Sequence, residues 1–253
     1  MGRLSGKTIM VTGASRGIGR ALSIELGAEG ATVILLSRSE RELRAVSDEI
    51  DGESMVTPAD VREHSEVREA VERAADRYGM IDGLVNNAGV GLLTLAGESK
   101  PVHEITEEEW SAVIDTNMSG VFRCSREVLE TMYAGSEGHI VNISSRFGRS
   151  AAAGWAPLVS SKWGLEGFTR ALAIEAEPYN VMVNAIYPPG RVKTEYWNHL
   201  PAEEYQTLYP TDVLNEGIIR LLSANSDAIT GQSHEFEVWQ EKLDDSGESA
   251  QRT

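Results

Sequence analysis

Short runs of consecutive apolar residues recur along the chain, separated by longer segments whose apolar positions fall every three to four residues. Runs of the first kind read as buried strands and segments of the second as amphipathic helices. Strands are predicted over Lys7–Thr12, Thr32–Leu36, Ser54–Thr57, Gly83–Asn86, His139–Ser144, Val181–Ile186 and His234–Val238. Helices are predicted over Ile18–Glu29, Arg41–Ile50, Ser65–Tyr78, Glu107–Ala134, Pro157–Glu177 and Val213–Ala224. The alternation implies an α/β protein with a parallel sheet and helices on both of its faces. Nearly continuous apolar strands suit a sheet covered on both sides. Pro157 fits a first helical turn, where its missing N–H would be unpaired anyway. Thr106 followed by Glu109 reads as a capping box.

Two segments interrupt the pattern. Pro188–Pro210 is rich in proline and aromatics and reads as a lid or substrate loop. Glu241–Thr253 is polar and aperiodic and reads as a flexible acidic tail. No repeat or dividing linker stands out, so residues 1–240 are expected to form a single domain that includes the lid.

Composition narrows the function. A chain of 253 residues, 41% hydrophobic, can bury one substantial core. The single Cys124 excludes an intramolecular disulfide and a multi-cysteine metal site, and His103, His139 and His199 lack metal-ligand spacing. No metal is expected. No apolar run approaches the roughly 18–20 residues of a membrane helix. The first strand begins almost at once, without a signal-peptide pattern, so a cytoplasmic setting is expected. The net charge of -16 argues against nucleic acid and anionic membranes as partners. With only five lysines, the acidic surface suits either salt adaptation or an ordinary acidic enzyme.

Chemistry enters with the motifs. After the first strand comes T-G-A-S-R-G-I-G, Thr12 to Gly19. Glycines between a strand and a helix allow a tight turn, close backbone approach to a pyrophosphate, and a helix N-terminus aimed at its charge. Asp60-Val61 follows the third strand, Asn86-Asn87-Ala88-Gly89 the fourth, and Asn117 lies in T-N-M-S-G. Ser145 closes I-V-N-I-S-S, and A-P-L-V-S-S-K runs to Lys162. Ile229-Thr230-Gly231-Gln232 precedes the last strand. In this order, over about Lys7 to Gln232, the motifs resemble the short-chain dehydrogenase/reductase family.

The resemblance implies a Rossmann-type doubly wound parallel sheet of about seven strands, and a nicotinamide cofactor. It assigns Gly13, Ser15, Arg16, Gly17, Ile18 and Gly19 to the cofactor turn, Asp60 and Val61 to the adenine, and Asn87, Ala88 and Gly89 to the cofactor channel. Pro188, Gly190, Val192 and Thr194 would meet the carboxamide and phosphates. At the catalytic end it makes Ser145 the carbonyl polariser, Lys162 the ribose-binding cation and Asn117 the support of a proton relay. The two long helices resemble the family's oligomer-forming pair, so a homodimer or homotetramer is implied.

Residue chemistry adds the cofactor choice. An acidic residue at the end of the second strand would bond the ribose hydroxyls and favour NAD. Ser37 and Arg38 stand there instead, and Arg16 adds a second guanidinium suited to a 2′-phosphate, so NADP(H) is expected.

Two departures stand out. The family pattern places a tyrosine four residues before the lysine, and here that position is Leu158. Leucine cannot transfer a proton, and losing a general acid costs about 10²–10⁴-fold. Tyr187 is an alternative phenol. The family's Pro-Gly after the sixth strand appears as Pro188-Pro189-Gly190, which restrains the loop differently. Trp155, Tyr187, Tyr196, Trp197, Tyr205 and Tyr209 suit either a pocket for a flat substrate or simple packing of the lid. Three functions stay open: a reductase of a small carbonyl, imine or iminium compound, a non-redox cyclase or isomerase, and a cofactor-binding pseudoenzyme. An introduced substitution at 158 is a fourth explanation.

Overall fold

The computed structural model describes residues 2–223 and 229–235. Seven parallel strands make one sheet in the order β3-β2-β1-β4-β5-β6-β7. They are β1 Thr8–Thr12, β2 Thr32–Ser37, β3 Ser54–Pro58, β4 Gly83–Asn86, β5 Gly138–Ile143, β6 Val181–Tyr187 and β7 Ser233–Glu235. The chain builds outward from β1 to β3, then returns to place β4 on the other side of β1. That reversal opens a crevice at the carboxyl ends of β1 and β4, where open α/β sheets bind ligands.

Strand alternation divides the core in two. In β1, Ile9 and Val11 face one side and Met10 the other, all at most 1% exposed. On the first side lie Leu22 and Leu26 of α1 (Gly17–Ala28) and Ile218 and Leu222 of α9 (Asn215–Ser223). On the second lie Val67 and Val71 of α3 (His64–Tyr78), Val128 and Met132 of α6 (Gly120–Gly135), and Leu172 of α7 (Ala156–Ala176). Each fully buried side chain of this size contributes about 1.5–3 kcal/mol. The other helices are α2 Glu40–Ser47, α4 Leu92–Leu95, α5 Glu107–Ile114 and α8 Ala202–Gln206.

Most predicted boundaries hold within two residues. The capping box at Thr106 and Glu109 forms, with bonds of 3.2 and 3.0 Å, and Pro157 lies in the first turn of α7. The helix expected over Glu107–Ala134 does not run unbroken. A π-helical turn over Asp115–Ser119 separates α5 from α6. It carries Asn117, whose side chain is held by the turn after β4. The buried positions Val113, Asn117, Val121 and Cys124 keep spacings of three to four across it, so the sequence pattern does not mark the turn. The helix expected to reach Ile50 ends at Ser47, whose hydroxyl lies 2.7 Å from that of Ser54 in β3. Residues 236–238 of the last predicted strand, Ala224 and the tail 241–253 lie outside the described residues. No helix among the described residues is long and apolar enough to cross a membrane.

Candidate active site

The glycine turn is fixed by contacts between backbones. Gly13 and Gly17 have φ of +65° and +54°, a region that favours glycine. A Cβ on Gly19 would lie 2.3 Å from the Gly13 carbonyl oxygen. The turn is tied to the loop after β4 by four bonds. Thr12 Oγ1 accepts from the backbone N–H groups of Asn87 and Ala88, both at 3.0 Å. Asn87 Nδ2 donates to the carbonyls of Thr12 and Gly13 at 2.9 and 3.1 Å. No side chain caps the start of α1, and Gly17 and Ile18 of its first turn line the cleft, which leaves the positive end of the helix dipole beside that space.

One cleft of about 1480 Å³ runs from this turn to the catalytic segment. Gly13, Ser15, Arg16, Gly17, Ile18, Ser37, Arg38, Asp60, Val61, Asn87, Ala88 and Gly89 all line it. So do Pro188, Gly190, Val192 and Thr194, and, at the far end, Ser145, Leu158 and Lys162. Gly19 and Asn117 do not line it; both are buried behind its wall. Arg16 and Arg38 are exposed, and neither guanidinium hydrogen-bonds a described residue. Asp60 accepts from Arg62 at 2.7 Å. Burial pushes this carboxyl up, and the bonds from Arg62 outweigh it, so the net shift is downward.

A dinucleotide's chemical requirements are met along this wall: amide donors for phosphate, cations at the adenosine end, and an ammonium and a hydroxyl at the other. The residues present fit such a group.

At the catalytic end, Ser145 precedes a short 3-10 turn, Arg146–Gly148, and its Oγ accepts from the Phe147 N–H at 3.2 Å. That leaves the serine proton free to donate into the cleft. Leu158 and Lys162 lie four apart on α7 and so share a face. Lys162 Nζ donates to the carbonyl of Ile143 at 2.7 Å. Burial lowers the ammonium's pKa to about 8, against a weaker upward pull from Glu166. Glu166, one turn further along α7, accepts from Ser144 Oγ at 2.5 Å, Ser233 Oγ at 2.9 Å and Arg149 at 3.3 Å. Sequence reasoning missed this buried carboxylate because an acidic residue in a helix is usually solvated.

Asn117 does not hydrogen-bond Lys162. Its Oδ1 accepts from Val90 N–H and its Nδ2 donates to the Val90 carbonyl, both at 2.9 Å. Nδ2 also donates to Ser161 Oγ at 3.1 Å, and Ser161 donates to the Leu158 carbonyl at 2.8 Å. Among the described residues, Asn117 thus ties the loop after β4 to the first turns of α7.

Of the aromatics grouped by sequence, Trp155, Tyr196 and Trp197 line the cleft, while Tyr187, Tyr205 and Tyr209 do not. Tyr187 turns away to donate to Glu235 at 3.4 Å, with Arg149 stacked 4.5 Å over its ring. It is therefore no substitute for a phenol at 158. Phe147, Arg146 and Leu93 line the cleft and were not foreseen; a phenylalanine between Ser145 and Gly148 was the available signal. No cluster of metal ligands occurs among the described residues.

A wholly parallel sheet with a glycine turn at its switch point, opening on a long polar-to-apolar cleft, defines a nucleotide-binding α/β protein. The chain belongs to the short chain dehydrogenase family, whose model matches residues 7–205. It is 38% identical over 194 residues to an NADPH-dependent pterin aldehyde reductase of Arabidopsis thaliana, spanning 76% of this chain and 77% of that one. A metagenomic short-chain oxidoreductase solved with NADP superposes with a TM-score of 0.79 at 30% identity, over 92% of this chain and 97% of that one. Carveol dehydrogenase from Mycobacterium avium, solved with NAD, superposes with a TM-score of 0.85 at 26% identity, over 93% and 97%.

Proposed function

We propose that this chain is an NADP(H)-dependent oxidoreductase that reduces a small organic carbonyl, imine or iminium compound without a phenol at position 158. The observation that carries the proposal is the shared cleft: Arg16 and Arg38 at one end, Ser145 and Lys162 at the other. Relatives of this fold hold NADP or NAD, so the choice rests on this chain's residues. Two guanidiniums without a hydrogen bond to any described residue, and Ser37 at the strand end, favour a 2′-phosphate. The NADPH dependence of the Arabidopsis relative points the same way.

When bound, NADPH supplies a hydride. The chain's residues do the rest. Arg16 and Arg38 would hold the 2′-phosphate, the start of α1 the pyrophosphate, and the Lys162 ammonium the nicotinamide ribose. Ser145 donates to the substrate oxygen, where negative charge develops. Leu158 offers no proton there. A substrate whose acceptor atom is already cationic needs none, which is why an iminium compound ranks beside a carbonyl. Phe122 on α6 and Trp163 on α7 are exposed at 46% and 54%, which supports assembly of the chain as a homodimer or homotetramer through these helices.

The test is a titration with NADPH and NADH, followed by single-turnover assays with ketones, imines and enones. NADPH is expected to bind at least about tenfold more tightly, the worth of one charge-assisted bond. NADH bound as tightly as NADPH, or no oxidation of NADPH by any acceptor, rejects the proposal.

A further inference from the structure

Lys162 is a buried ammonium, and its hydrogen bond among the described residues goes to a backbone carbonyl, that of Ile143. A charge taken out of water is costly unless a countercharge lies near it. The charged side chain that acts on Lys162 is Glu166, one turn further along α7. Leu158, Lys162 and Glu166 are spaced four apart and so share a face of the helix. Glu166 does not line the cleft. It is 4% exposed, in the interior behind the catalytic end.

The bonds of Glu166 reach the segment that carries Ser145. Its Oε1 accepts from Ser144 Oγ at 2.5 Å, Ser233 Oγ at 2.9 Å and Arg149 Nη1 at 3.3 Å, and its Oε2 accepts from Arg149 Nη2 at 3.4 Å. An ionised carboxylate has about four acceptor sites, and these bonds use them. The turn after Ser145 packs on the same side chain: a Cβ on Gly148 would stand 2.9 Å from Glu166 Cγ and 3.0 Å from Ser144 Oγ. Ser145 therefore lies between two residues seated on Glu166, and Lys162 is carried by the same helix. Across Arg149 lie Tyr187 of β6, whose ring is 4.5 Å from the guanidinium, and Glu235 of β7, which accepts from the Tyr187 hydroxyl. Ser233 and Glu235 share one face of β7, so His234 points to the other.

We infer that Glu166 is a positioning residue of the active site: it seats the Ser145 turn on α7 and is the buried countercharge of the Lys162 ammonium. It does not border the cleft, so it acts through Ser145 and Lys162. The consequence for reduction rests on the proposed function, and the consequence for the charge of Lys162 does not. A carboxylate beside an ammonium stabilises the charged form, so loss of Glu166 should lower the pH at which Lys162 gives up its proton.

The chain has five lysines, few enough to follow each by NMR of the full chain carrying isotope-labelled lysine. The signal absent from Lys162→Met is that of Lys162. Its titration midpoint in the unmodified protein is expected at about pH 8, and Glu166→Gln should lower it by about one pH unit. Ser144→Ala keeps the carboxylate and removes one anchor of the turn. It should leave the midpoint in place and slow single-turnover reduction of a ketone by about tenfold, the cost of a loosened Ser145. If Glu166→Gln fails to fold, Glu166→Met combined with Ser144→Ala removes the charge together with a hydroxyl it would orphan, and the same fall is expected. A midpoint that stays or rises without the carboxylate, or that falls as far in Ser144→Ala as in Glu166→Gln, would overturn the inference. So would a ketone rate untouched by Ser144→Ala. A protein that oxidises no NADPH with any acceptor removes the reductase function, and the lysine titration still decides for or against Glu166.

Discussion

At the end of the cleft where α1 begins, backbone meets backbone: a Cβ on Gly13 would lie 2.9 Å from Ala88 Cα, and one on Gly19 would lie 2.3 Å from a carbonyl oxygen. At the other end, side chains face open space, and Leu158 and Lys162 look into the cleft from one face of α7. The first arrangement has no room for a different residue. The second accepts a changed residue with little effect on packing, because position 158 borders the cleft and not the core. Packing therefore fixes the residues of the glycine turn, and it leaves the side chain at position 158 open to change.

The most severe challenge to this contrast is Leu158→Tyr. If the catalytic end lacks only a proton donor, kcat/KM for ketones should rise by about 10²–10⁴-fold, with NADPH affinity unchanged. No gain would mean that the cleft around 158 has diverged further. Next in size, replacing Arg16 and Arg38 together by alanine should weaken NADPH binding by about ten- to a hundredfold and leave NADH binding alone. Equal losses for both cofactors would remove the 2′-phosphate from these arginines.

A smaller effect separates tight from open glycines. Gly19→Ala should cost about 1–3 kcal/mol in thermal or denaturant unfolding, since its Cβ meets fixed backbone. Gly167→Ala, in the interior of α7 with nothing within 4 Å of its Cβ, should instead stabilise by about 0.5–1 kcal/mol. The pH dependence is the finest probe. The ammonium of Lys162 is charged below about 8 and neutral above it, so reduction should decline as pH rises through that value. The same burial makes the native state bind fewer protons than the unfolded chain between about 8 and the ordinary lysine value of 10.5. This group's contribution to stability therefore rises with pH across that window. Lys162→Met should abolish both trends.

Much of this was legible in the chain. Apolar runs locate the strands, because a strand covered on both faces has no polar side to confuse the pattern. The glycine turn and its partner loop were equally readable, since close backbone contact admits few residues. Three features were not. The π turn at Asp115–Ser119 leaves the apolar periodicity intact. Asn117 is tied to Val90 and Ser161, a matter of where β4 and α7 come together and not of local pattern. The aromatic wall joins Phe147 and Trp155 to Tyr196 and Trp197, some forty residues apart in sequence. It excludes Tyr187, Tyr205 and Tyr209, which composition alone groups with it.

On the proposed function, Leu158 removes proton transfer and leaves hydride delivery in place. The most direct measurement is the ratio of single-turnover rates of NADPH oxidation with N-methyl dihydroisoquinolinium and with α-tetralone, in the unmodified protein and in Leu158→Tyr. The iminium ion needs no proton at its acceptor carbon, and the ketone oxygen does. A high ratio is expected in the unmodified protein, falling by about 10²-fold or more in Leu158→Tyr through a faster ketone rate alone. A ratio unchanged by the substitution would contradict that expectation.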